Sequence, residues 1–94
     1  MVRFDILGAL FACVSSSGLI RVYDFDEILH FEKSSESTVI KPLTFLDTGR
    51  DIGDLRWSVD SKNPDDIIVS FLFSSLIHVY DTNSFVNPKL ILEV

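Results

Sequence analysis

Cysteine is almost absent from these 94 residues: Cys13 stands alone, so the chain can form no internal disulfide. That usage fits a reducing compartment inside the cell, cytoplasm or nucleus, and Cys13 itself reads as a small apolar strand residue. Basic runs are missing too. Eight Lys and Arg face 14 Asp and Glu, for a net charge of −6, and each half of the chain carries four basic and seven acidic residues. Direct binding to a nucleic-acid backbone or to an anionic membrane surface is therefore not expected. No apolar run nears the roughly 20 residues of a membrane helix. Residues 6–14, ILGALFACV, come closest to a signal-peptide core, but Asp5 interrupts the preceding segment and no small-x-small cleavage site follows, so none is expected.

Catalytic sets are missing as well. His30 and His78 are the only histidines, far apart in the chain, and with one cysteine they make no zinc set. No glycine-rich phosphate loop and no nucleophile elbow occurs. Ser15, Ser16 and Ser17 have no base at useful spacing and read as a turn. Asp65 and Asp66 are adjacent, so on a strand they would point apart; they read as a solvated turn. We expect no catalytic residue, no cofactor, no metal, no enzymatic activity and no small-molecule site.

What the chain does have is a repeat. Residues 10–24, LFACVSSSGLIRVYD, align without a gap on residues 67–81, IIVSFLFSSLIHVYD, at an offset of 57, with six of 15 pairs identical. Each copy is an apolar run, a small turn and an alternating apolar run ending in Tyr-Asp. β-Branched and aromatic enrichment favours strands, and a repeat this long points to stacked supersecondary units. Phe4 matches Trp57 at an offset of 53, which assigns four extra residues to the first loop of the second copy. Asp24 and Asp81 repeat, and read as strand-end carboxylates accepting backbone N–H or pairing with an arginine such as Arg56.

Strands are expected over residues 2–5, 10–14, 19–25, 39–46, 52–58, 67–73, 76–82 and 89–94. Gly18 suits a tight turn that needs positive φ, and Pro42 places the fourth strand at an edge. The polar residues 26–38 read as an exposed connection with a short strand or turn of helix, and Ser34, Ser35 and Ser37 as loop residues. His78, matched by Arg21 in the first copy, reads as solvated or edge-facing. The result is an all-β chain of two four-stranded antiparallel meanders, one over residues 1–47 with its polar connection at 27–38, the other over 48–94.

RFDILGALFACVSSSGLIRVYD resembles a blade of the WD-repeat family, with Gly8 at the loop glycine and Tyr23-Asp24 at the Trp-Asp. The second copy resembles it too: Trp57-Ser58, the Asn63-Pro64-Asp65 loop and Tyr80-Asp81 fall in register. The family's Gly-His is replaced by Thr48-Gly49, and its turn aspartate by Ser16 or Ser17 and by Leu72 or Phe73, so its His–Ser–Asp–Trp network is incomplete. The resemblance implies two blades of a propeller that is not closed. Closed propellers use four to eight blades, so a fragment, a truncated isoform or a piece that assembles with other chains is expected. It further implies a non-enzymatic scaffold presenting loops to a protein partner, with Phe71, Leu72, Phe73, Arg50 and Arg56 as candidate contacts near one rim. The alternative is an independent small β domain that oligomerises or pairs through its edge strands.

Overall fold

The computed structural model describes residues 1–29 and 39–94. Among them eight strands form two four-stranded antiparallel sheets, not closed into a barrel, in the orders β1-β2-β3-β4 and β5-β6-β7-β8. The first sheet holds β1 (Val2–Phe4), β2 (Leu10–Val14), β3 (Leu19–Asp24) and β4 (Thr44–Asp47). The second holds β5 (Ile52–Trp57), β6 (Asp66–Phe71), β7 (Leu76–Asp81) and β8 (Leu90–Glu93).

Several boundaries differ from those expected. β3 stops at Asp24, because its carboxylate accepts the Asp26 N–H at 2.9 Å and opens a short helix, α1 (Phe25–Leu29). Asp81 does the same in the second copy. It accepts the Asn83 N–H at 2.9 Å and caps a 3-10 turn, Thr82–Ser84, so Thr82 is not part of β7. The repeated aspartates thus end strands by capping helical turns, and Arg56 pairs with neither of them. β4 begins at Thr44 and not at 39: Pro42 has no N–H, and the ladder starts past it, with the Leu43 N–H on the Val22 carbonyl. The strand does lie at a sheet edge. The serines at 34, 35 and 37 and His30 lie outside the described residues.

Directly opposed residues in an antiparallel ladder share a face, so the ladders sort each sheet into two. Phe4, Phe11 and Tyr23 are in line on one face of the first sheet, as are Trp57, Ile67 and Tyr80 in the second. We term this the aromatic face. The opposite, aliphatic face holds Ala12, Ile20, Val22 and Leu46 in the first sheet. In the second it holds Ile68, Ile77, Val79, Leu90 and Leu92.

The core is made where the aliphatic face of the first sheet meets the aromatic face of the second. Ala12, Ile20 and Val22 join Leu55, Trp57, Ile67, Val69, Phe71 and Tyr80 in one buried cluster. The Trp57 indole N–H donates to the Arg3 carbonyl at 3.0 Å, and Arg3 reaches Asp54 at 3.3 Å, tying β1 to β5. At the other end of the stack, Thr48 donates from both N–H and hydroxyl to the Gly18 carbonyl. Gly18 has φ 90°, and a Cβ there would run into the Arg50 carbonyl and the Thr48 hydroxyl, so both backbone and neighbours demand glycine.

The ladders also correct the gapless alignment. Val14 faces Ile20 across five intervening residues, whereas Ser70 faces Ile77 across six. With β3 matched to β7 at 57, β2 matches β6 at 56, and β1 matches β5 at 53. Of the four extra residues, three therefore lie in the first loop and one in the hairpin turn. The consequence is chemical: Ala12 corresponds to Ile68, not Val69, and Leu10 to Asp66, not Ile67.

Candidate functional site: an apolar hairpin tip beside an arginine

The turn from β6 to β7 carries the extra residue. Its backbone is held at the base by the Leu72 N–H on the Asp51 carbonyl at 3.0 Å, and beyond the tip by the Leu76 N–H on the Ser74 hydroxyl at 3.1 Å. Between them Phe73 adopts φ 58°, a left-handed conformation that bulky residues rarely take. The residue is fully exposed, and Leu72 beside it is half exposed. An aromatic ring in water on an unfavourable backbone is a poor choice for stability alone.

Phe71 does not belong to that patch. It is the last residue of β6, points to the aromatic face and is 5% exposed, because the sheet alternation that turns Leu72 outward turns Phe71 inward. Its ring supports the site from below. The Arg50 guanidinium stands over it, 4.5 Å from the ring centroid. Its other side meets His78 edge-on at 4.9 Å, the His78 Nδ1 lies 3.0 Å from the Tyr80 hydroxyl, and Tyr80 meets Phe85 edge-on at 5.7 Å. A row of rings therefore runs from the surface arginine into the core.

His78 is thus neither solvated nor at an edge. It sits half-buried on a central strand, opposite Val69. Burial, and then the charge of Arg50, hold its imidazole below the usual pKa of 6.5. Burial raises the Tyr80 phenol above its ordinary range, with Arg50 opposing. Arg21, the counterpart of His78, is exposed because the aromatic face of the first sheet is open.

Arg56 is not brought to this tip. Arg50 precedes β5 and Arg56 lies near the end of that strand, so they stand roughly 20 Å apart at about 3.3 Å per residue. Arg56 pairs with Asp54 at 3.0 Å, while the other Asp54 oxygen takes Arg3. The hydrogen bond from Arg56 is the main cause that lowers the Asp54 pKa, with the Leu55 N–H and Arg3 adding to it against some desolvation. Of the five candidate contacts, Leu72 and Phe73 are exposed at the tip, Phe71 is buried under Arg50, and Arg56 is elsewhere.

Asp66 is not part of the solvated turn expected from its neighbours. It is instead the first residue of β6, 8% exposed, in an ion pair with Lys89. Asp65 remains in the turn, its carboxylate accepting from the Asn83 side-chain amide at 2.9 Å. The pair escaped sequence reasoning because Lys89, itself exposed, is 23 residues away and the gapless alignment put Asp66 outside the strand.

Two shallow clefts lie between the sheets. One, of about 320 Å³, is lined by Leu10, Val22, Leu43, Thr44, Thr82 and Asn83; the other, of about 410 Å³, by Arg3, Phe4, Ile6, Arg56, Trp57 and Val59. Neither lining contains a carboxylate, histidine or cysteine. Among the described residues no three His, Cys, Asp or Glu side chains gather as a metal would require, and no helix is long and apolar enough to cross a membrane. Compared with models of known protein families the chain matches none, and it matches no curated protein.

Proposed function

We propose that this chain is a non-enzymatic interaction scaffold, a partial WD-repeat-like propeller of two blades that presents loops to a protein partner. One observation carries the reading: Phe73 is held fully exposed on a left-handed backbone, beside Leu72 and within a turn of fixed geometry. Exposed apolar residues that cluster mark interaction sites more often than chance surface. Aromatic residues, phenylalanine included, and arginine are enriched in the buried core of protein interfaces. Arg50 is held over Phe71 by cation–π contact, so it loses little freedom when it meets a partner's carboxylate or backbone carbonyl. The partner surface this favours is an apolar cleft with an acidic rim.

The test is site-specific photo-crosslinking in cells that express the chain. A photoreactive residue at position 73 should capture one defined protein, at a level that falls on Arg50→Ala. The same residue at position 62, in the loop between β5 and β6, should not capture it. Equal capture from both positions, or none above background from position 73, would remove the hairpin tip as the site.

A further inference from the structure

Among the described residues one face of each sheet is left open, and the two open faces are the counterparts of the two that meet inside the chain. The aliphatic face of the first sheet is buried against the second sheet, with Ala12, Ile20 and Val22 at 0–1% exposure. Its counterparts in the second sheet are more open: Ile68 is 40% exposed, Leu92 46% and Leu90 50%, with Ile77 and Val79 half-buried between them. The aromatic face of the second sheet is buried, with Trp57, Ile67 and Tyr80 all at 7% or less. Its counterpart in the first sheet, Phe4, Phe11 and Tyr23, stands open under Phe25, with Phe4 51% exposed.

We infer that a second copy of this chain docks head to tail, setting the aromatic face of its first sheet on the aliphatic face of this chain's second sheet. The contact continues the established intramolecular one, with the same ladder positions on each side. The match extends to detail. Phe25 packs on Phe4 and Phe11 at 5.2 and 6.0 Å, much as Phe85 packs on Tyr80 in the buried sheet, so the receiving rings are already arranged. Of the carboxylates on the open aliphatic face, Asp54 and Asp66 are each paired with a cation, Arg56 and Lys89, which limits repulsion between two acidic chains, while Asp81 accepts the Asn83 N–H. One copy offers one face of each kind, so the association is heterologous and adds copies until the rotation closes a ring, which takes two to four two-blade copies at the four to eight blades of a closed propeller. It does not depend on what the hairpin tip binds.

The intermolecular contact is the weaker of the two. The counterpart of Trp57 is Phe4, which has no N–H to place on the Arg56 carbonyl, and the counterpart of Asp54 is Met1. Phe4→Trp should therefore tighten self-association by about fivefold, the usual worth of one neutral hydrogen bond.

Sedimentation velocity on the whole chain tests the proposal. The wild type should self-associate with rising concentration. Leu92→Lys blocks the aliphatic face and Phe45→Lys the aromatic one; both residues are exposed edge-strand positions. Each variant alone should be monomeric, and an equimolar mixture should form a 1:1 dimer, since each retains the face the other lacks. Leu90→Lys with Val2→Lys repeats the pair at independent sites, and Trp57 emission reports whether each variant is folded. A wild type that stays monomeric at high concentration would overturn the proposal. So would a single variant that still associates, a mixture that does not dimerise, or Phe4→Trp without effect.

Discussion

Phe73 sets a local conflict between stability and display. Its left-handed backbone costs a non-glycine residue about 1–2 kcal/mol, and its fully exposed ring recovers none of that by burial. Phe73→Gly should raise stability by about 0.5–1 kcal/mol, the gain being trimmed by the greater freedom of glycine in the unfolded chain. A denaturant melt reads this, and unchanged or lowered stability would contradict it. His78 makes a second prediction at this scale. Its folded pKa lies below 6.5, so the unfolded chain takes up the proton more readily. Its contribution is complete above about pH 6.5 and is lost as pH falls through that value toward the folded pKa. Thermal melts should show a lower midpoint at pH 5.5 than at 7.5. The drop should shrink in His78→Gln, and in Arg50→Ala, where one cause of the shift is gone.

Among the elements, the two hairpins show how one residue redistributes chemistry. The strands LIRVYD and LIHVYD end alike, each aspartate capping the turn that follows. Asp81→Ala should cost about 1 kcal/mol by equilibrium unfolding, while Asp81→Asn should keep most of it, since an amide oxygen still accepts the Asn83 N–H. An equal loss in both would mean that the carboxylate charge matters and the cap does not. The preceding strands diverge. The first hairpin turns through Ser15–Gly18, whereas the second takes an extra residue and spends it on an apolar tip. The arginine that supports the tip comes from the loop joining the two sheets, which Thr48 fastens to the first hairpin at Gly18.

At the scale of the whole molecule, the two sheets share one core, and neither can keep its buried face without the other. Residues 1–47 alone would expose Ala12, Ile20 and Val22; each large aliphatic side chain so exposed forfeits about 1.5–3 kcal/mol. That half should show no cooperative melt and poor amide dispersion by NMR, while the full chain unfolds in one transition seen alike by Trp57 emission and circular dichroism. A cooperative half-chain would contradict the shared core.

The architecture was legible from the sequence because its causes are local. Alternating β-branched and aromatic runs, the repeated Tyr-Asp endings, Gly18 at its turn and Pro42 ahead of an edge strand all act within a few residues. The strand register was not legible. Ile67, Ile68 and Val69 are apolar in succession, so hydrophobic pattern accepts either register, and a slip of one residue exchanges every side chain between faces. Only the hydrogen-bonded ladder to β5 and β7 chose between them. That choice buried Phe71 under Arg50, brought Asp66 into the sheet against Lys89, and left Leu72 and Phe73 outside. Local chemistry by itself determined which strands form; the tertiary structure decided which side of each strand meets water, because that depends on partners distant in the chain.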